Sequence, residues 1–413
     1  MKTMVKNILI LLLFLSIAVP SFATTYYVST DGNDKNPGTK NSPWRRCPGM
    51  AGWSSSVKLK AGDTVYFNSS DTWTLSDGSY GFWVTGGVTY IGDTWGNGKR
   101  AKFDVTSRYS ANGGVLIAED HPTIETEFKG FEVDCNMTES RGIQINYGSM
   151  RGWETVGAVK RVENCHVHHT GKNSATYGIT ASTHHNSTTK NIEIIDCIVH
   201  DVGHNAICLY AGYRSNNALI SDVVIRGCET YKTGLRSSYG GPAGIQIKNH
   251  VENVIVENNK LHNSDLGIKI YKEYVNALPI KNITIRYNEI AHNDSAGIYV
   301  YNGPSSNVYI YGNSIYKNGR SGIKFESNLY GTLSYNISEN LIHSNGQYQI
   351  VVNSSKADFK TLVISKNKLC GANFIYDPRN VITENSENEY LSNCEDVNPT
   401  ILVPLNKNFK NSN

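Results

Sequence analysis

The chain has 413 residues, and its 39 basic and 36 acidic side chains leave a formal charge of +3. So even a balance excludes a nucleic-acid-binding polycation, and any basic site must be local. The length would hold two or three ordinary domains, but an internal repeat over most of the chain argues instead for one long solenoid with caps.

At the N-terminus, Lys2 and Lys6 precede an apolar run from Ile8 to Val19, and Ser21-Phe22-Ala23 places small residues where a signal peptidase reads. Residues 1–23 are therefore expected to be a signal peptide cut after Ala23. The run is short for a membrane span and no lipid-anchor cysteine follows it, so the mature protein is expected to be secreted, extracellular or periplasmic, with no membrane span.

Residues 24–114 are expected to form an N-terminal cap and the first coils. "TTYYVSTDGNDKNPGTKNSPW" from Thr24 reads as a strand followed by a turn region, and "LKAGDTVYF" from Leu59 as a second strand. Between them, "RRCPGMAGWSSSVK" carries Pro48, Gly49 and Gly52, which disfavour a helix.

From Val115 to Ile375 the chain repeats itself. "NVIVENNKLHNSDLGIKIY" from Asn253, "NITIRYNEIAHNDSAGIYVYNG" from Asn282 and "NVYIYGNSIYKNGRSGIKF" from Asn307 share Asn-x-x-Ile starts and Gly-Ile ends. Short alternating strands at a period of roughly 25 to 32 residues are the mark of units that bury a core only by stacking on neighbours. The fold class is thus all-β, a single-stranded right-handed parallel β-helix solenoid with N- and C-terminal caps. Residues 376–413 lose the repeat and are expected to form a C-terminal cap and tail.

Eight cysteines sit in this frame. Cys135, Cys165, Cys197 and Cys228 share one register position, which later repeats fill with Asn259, Asn288, Asn313, Asn340 and Asn367. With coils about 4.8 Å apart, an inward Asn column can pass hydrogen bonds up the axis, whereas buried thiols fill the same space as small hydrophobes. These four are expected to be free, because stacked neighbours rarely meet disulfide geometry. Cys370 and Cys394 are candidates for a C-terminal disulfide, and Cys47 and Cys208 have no evident partner.

The opening "YYVSTDGNDKNPGTKNSPW", the later "AGDTVYF" and the downstream repeats together resemble secreted, pectate-lyase-like right-handed parallel β-helix proteins, many of them polysaccharide lyases and glycosidases. Many relatives carry a short capping helix between the two N-terminal strands, and this sequence departs from them there. The resemblance implies the fold and a carbohydrate-active role, and it transfers no catalytic residue, since one fold carries several chemistries.

Outward positions of the Gly-Ile strands should form two columns. One reads Gln144, Thr180, Cys208, Gln246, Lys269, Tyr299, Lys324 and Gln349, and its neighbour Asn146, Ser182, Tyr210, Lys248, Tyr271, Tyr301 and Glu326. Ammonium groups among Tyr rings suit an acidic polysaccharide, and like charges so placed repel unless an anion compensates them. The plainer reading is a solvated sheet face, where Lys and Tyr are common. A uronate lyase must neutralise a carboxylate and remove the neighbouring proton. Lys248, Lys269 and Tyr271 are the catalytic candidates, with Gln246, Tyr299, Tyr301, Arg320, Lys324 and Glu326 binding substrate.

Asp265 and Asp294, in adjacent turns, are candidates either for calcium, which relatives with a Lys base sometimes use, or for the carboxylate pair of a glycoside hydrolase. Turn chemistry alone would also explain them. His168, His200, His262 and His343 share an outward register interrupted by Tyr231, Ala291 and Tyr316, and "HDVGHN" adds Asp201 and His204. Zinc or copper binding, or a base role for His200 or His204, competes there with a generic turn-facing role. His184 and His185 fall in a polar loop. Insertions at Ser182 to Lys190, Gly212 to Leu219, Leu235 to Pro242 and Lys272 to Pro279 flank the lysine rungs, as walls of a binding face would. The leading expectation is a monomeric lyase that cleaves a uronate polysaccharide by β-elimination; a hydrolase and a non-catalytic binding protein remain open, with epimerisation more distant.

Overall fold

The computed structural model describes residues 23–75, 81–106, 113–138, 140–147, 155–171, 176–183, 186–212, 217–235, 241–273, 278–326, 330–353 and 356–394. The signal segment, His184 and His185 lie outside these residues. The described chain contains no helix, and hence none long and apolar enough to cross a membrane. It coils through three parallel sheets of thirteen, twelve and eleven strands. One turn shows the plan: Val251–Glu257 joins the thirteen-stranded sheet, Lys260–His262 the twelve-stranded and Leu266–Tyr271 the eleven-stranded, before Ile280–Arg286 starts the next. "RRCPGMAGWSSSVK" is non-helical, as its Pro and Gly residues require. Stacking begins with Thr25–Val28 and continues to Glu389–Leu391, past the last repeat.

Each coil closes because alternate side chains point inward. Ile245, Ile247, Ile268, Ile270, Ile298 and Val300 line the interior of one sheet. Near the N-terminus Phe67, Phe82, Phe103, Phe128 and Phe131 replace them, with the last two stacked at 4.2 Å.

The corner between the first two sheets is a residue in the left-handed region, such as Asp196, Asn258 or Tyr287, followed by one that faces the axis. That second residue is the Cys/Asn column. Asn259, Asn288, Asn313 and Asn340 each donate to the next Oδ1 at 2.9 Å, and Asn367 continues to Asn388 at 3.0 Å. Each also donates to a carbonyl of the previous coil, as from Asn313 to Ile285 at 2.9 Å. The thiols make a weaker version of that second bond: Cys197 Sγ reaches Val162 O at 3.6 Å and Cys228 Sγ reaches Ile194 O at 3.5 Å. Cys135, Cys165, Cys197 and Cys228 are free and buried, as are Cys47 and Cys208, while Cys370 and Cys394 form a disulfide.

A further ladder runs before the Gly-Ile strands, from Asn293 to Asn318 and Asn345 at 2.9 Å per step, and ends on Gln349 Oε1 at 2.8 Å. The glycines of that motif are set by clearance. A Cβ on Gly267 would lie 2.5 Å from Gly297 O, and one on Gly297 would lie 2.7 Å from Gly322 O.

Candidate functional site

The eleven-stranded sheet carries the candidate site on its outer face. Pairing aligns Gln144, Thr180, Cys208, Gln246, Lys269, Tyr299 and Lys324 on successive strands, and beside them Ser182, Tyr210, Lys248, Tyr271 and Tyr301. Two expected members fall elsewhere. Lys324 pairs with Val351 rather than Gln349, because Gln349 directly precedes Ile350 and so stands at the glycine position of the motif, where its side chain caps the Asn ladder. Asn146 sits at a bulge with φ 52°, so Tyr147 takes its place opposite Ser182.

Lys269 is almost wholly buried, 6% exposed, and its Nζ donates to Gly241 O at 3.3 Å. Burial first, and the neighbouring Lys248 charge second, push its ammonium down to about 8. Lys248 Nζ pairs with Glu273 Oε2 at 2.8 Å and lies 4.4 Å from the Tyr210 ring centroid. The Tyr271 ring lies close to both ammonium groups, 4.8 Å from Lys269 Nζ and 5.3 Å from Lys248 Nζ. Tyr271 and Tyr301 follow at 5.4 Å, and Tyr299 stacks on Tyr301 at 5.8 Å, giving a continuous aromatic surface along the coils.

Further along, Glu326 Oε2 accepts from Tyr299 Oη and pairs with Lys324 Nζ, each at 2.8 Å. Burial, then the bond to Glu326, raises the Tyr299 phenol well above its usual range, so it stays a proton donor. Gln246 is buried and its Oε1 accepts from Asn205 Nδ2 at 2.9 Å, which makes it a support beneath the surface more than a contact on it. The Cys208 thiol lies in the same layer, and burial raises it to about 11.

The carboxylates refine the charge argument. Uncompensated lysines would call for an external anion, but Glu273 and Glu326 already pair with Lys248 and Lys324. Glu273 lies at the rim of the Lys272 to Pro279 insertion, outside any repeat column, so no register signal marked it. Arg141 and Tyr177 were also missed. They stand immediately before their Gly-Ile motifs, a column that register could have exposed. The Arg141 guanidinium lies 5.1 Å from the Tyr177 ring, and His204 meets that ring edge-on at 5.7 Å. Residues 184–185, 213–216, 236–240 and 274–277 of the flanking insertions lie outside the described residues.

Asp265 is half-buried. Its carboxyl is pushed up by burial and by the Asp294 charge, and drawn down by Lys269 and Arg320. Asp294 and Arg320 are exposed. Calcium takes six to eight oxygens. Two carboxylates flanked by two cations supply few of them, so substrate or solvent would have to complete the shell.

On the twelve-stranded sheet the histidine register runs as expected: His168, His200, Tyr231, His262, Ala291, Tyr316 and His343 pair in succession. The rings stack, with His168 on His200 at 5.3 Å and His200 on Tyr231 at 4.5 Å.

Several solved structures share the fold. A glycoside hydrolase superposes with a TM-score of 0.54 at 9% identity, over 89% of this chain and 96% of its own. XylC in complex with xylose gives 0.51 at 11% identity, over 91% and 87%. A mannuronan C-5 epimerase A-module of Azotobacter vinelandii gives 0.50 at 16% identity, over 80% and 89%. No curated protein matches the chain in sequence. Residues 142–388, well over half the chain, match the family described as the right handed beta helix region, and with its three stacked parallel sheets the chain belongs to that family.

Proposed function

We propose that this is an exported carbohydrate-active enzyme that cleaves a uronate-containing polysaccharide by β-elimination on the outer face of the eleven-stranded sheet. One observation carries the reading: a buried lysine whose ammonium is held down to about 8 sits beside a second lysine over an aromatic surface. A base with that affinity is poised for proton abstraction near neutral pH. The leader-like N-terminus supports export. The fold, shared with an epimerase and a glycoside hydrolase, is compatible with carbohydrate chemistry and does not choose among reactions.

In this reading neutral Lys269 takes the proton from the carbon bearing the carboxylate. The electron pair forms the new double bond to the adjacent carbon, and the glycosidic C–O bond there breaks. Tyr271 supplies the proton to the departing oxygen. The exposed Arg320 meets the sugar carboxylates, Lys248 and Lys324 do so by turning from their pairs with Glu273 and Glu326, and Tyr299 and Tyr301 present ring faces to the sugar. No step is routed through calcium.

The test is ultraviolet absorbance of the mature protein mixed with alginate, pectate, chondroitin or hyaluronan, with calcium and then with chelator. A rise from unsaturated uronate that Lys269→Met abolishes is expected, and the chelator arm reads any calcium requirement. A flat trace with all four would overturn β-elimination on these substrates. One observation favours a second reading: the raised Asp265 carboxyl would suit the general acid of a hydrolase paired with Asp294. New reducing ends without absorbance, lost in Asp265→Asn, would establish it. Recovery of inverted uronates without chain cleavage would instead indicate epimerisation.

A further inference from the structure

Glu132, His166, His168 and His200 converge on three successive strands of the twelve-stranded sheet, Phe131–Asp134, His166–His168 and Ile198–Val202. One ligand atom each from Glu132, His166 and His168 lies within 4.8 Å of the others. His168 Nε2 faces Glu132 Oε1 at 3.3 Å, and His166 Nε2 faces His200 Nε2 at 2.7 Å. Metal–nitrogen bonds of about 2.0 Å in a tetrahedral shell put neighbouring ligand atoms roughly 3.3 Å apart. The Glu132–His168 spacing already fits such an edge, and a sub-ångström parting of the His166 and His200 rings would make that pair fit too.

The orientation of the rings is a second observation. His200 Nδ1 lies 2.6 Å from Asp201 Oδ2, which as an acceptor holds the ring proton on Nδ1 and leaves the Nε2 lone pair aimed at His166. His168 Nδ1 likewise turns away from Glu132, toward His169 Nδ1 at 2.8 Å and Asp134 Oδ1 at 3.7 Å. A carboxylate behind an imidazole, as Asp201 stands behind His200, fixes ring orientation at metal centres. Lys102 approaches Glu132 at 3.4 Å, but it also pairs with Asp134 at 3.1 Å and Asp104 at 3.2 Å, so it keeps two partners if Glu132 turns to a cation.

We infer that this cluster is a zinc site, formed by Glu132, His166 and His168 with His200 as the fourth ligand, which ties three coils together. Imidazoles with one carboxylate select zinc-class dications over calcium or magnesium. The site lies on a different sheet from the lysine face, so it stands or falls independently of the proposed reaction.

The test uses the untagged mature chain, stripped with chelator and titrated with zinc chloride by calorimetry. Cobalt(II) absorption reads the geometry, and thermal melting reads the linkage. One tight zinc per chain, a tetrahedral cobalt spectrum and a raised melting temperature are expected. His168→Ala should abolish the tight event, Asp201→Asn should weaken it roughly 10- to 100-fold, and the exposed His292→Ala should leave it unchanged. If His168→Ala fails to fold, Glu132→Gln serves in its place, with circular dichroism to show the coil intact. Absence of tight binding, or binding that survives both substitutions unchanged, would overturn the inference.

Discussion

At the residue scale the protein concentrates its unusual chemistry on Lys269. Desolvation disfavours the ammonium, and Lys248 adds to that effect. In the proposed β-elimination Lys269 acts in its neutral form, so kcat/KM should climb as pH rises and level off above about 8. A profile with no limb near that value would remove Lys269 from the base role. Lys269→Met should cut turnover by roughly 10²- to 10⁴-fold, the usual worth of a positioned base. Tyr301→Ala should act differently, raising KM about 3- to 10-fold with little change in kcat, because the proposed surface would lose one ring face for the sugar. Steady-state kinetics on the two variants separates these roles.

At the element scale one coil is a strand, a left-handed corner, an inward Asn or Cys, a short strand, a turn and a Gly-Ile strand. Asn313 shows what the inward position contributes. It accepts from the backbone and side chain of Asn288 and donates to Ile285 O and Asn340 Oδ1. Asn313→Ala would strand several buried polar groups, each worth about 1 to 3 kcal/mol, so a loss of at least 2 kcal/mol is expected in urea unfolding. Loss below half of that would mean the ladder is replaced by water. Gly267→Ala would set a methyl group against Gly297 O and the Ile290 side chain. The coils would have to part there, so a lowered melting temperature is expected even though alanine suits strands better than glycine.

At the scale of the whole molecule, stability is a sum over coils and their contacts, so the ends should fray before the middle. The disulfide between Cys370 and Cys394 spans 24 residues and ties the last strands to the stack. Closing a loop of that size is worth about 3 kcal/mol in the chain-entropy treatment. Cys394→Ser should therefore expose the segment after Cys370 to protease at a lower temperature, while the rest of the stack melts unchanged. The other six cysteines are buried, so a thiol reagent should label none in the native protein and all six after unfolding.

The sequence alone determined the fold, the register of its columns and the Asn and Cys ladder, because a stacked repeat turns a period along the chain directly into neighbours in space. It also marked Lys248, Lys269, Tyr271 and Tyr301 as one surface, since they recur at fixed steps from their Gly-Ile motifs. What only the tertiary structure decided lies wherever the chain leaves that period. A bulge substitutes Tyr147 for Asn146, and Glu273 reaches Lys248 from an insertion. The gathering of Glu132 and His166 with His168 and His200 depends on side-chain direction across three strands. The depressed affinity of Lys269 depends on burial, a property of the packed coils that no run of residues displays by itself.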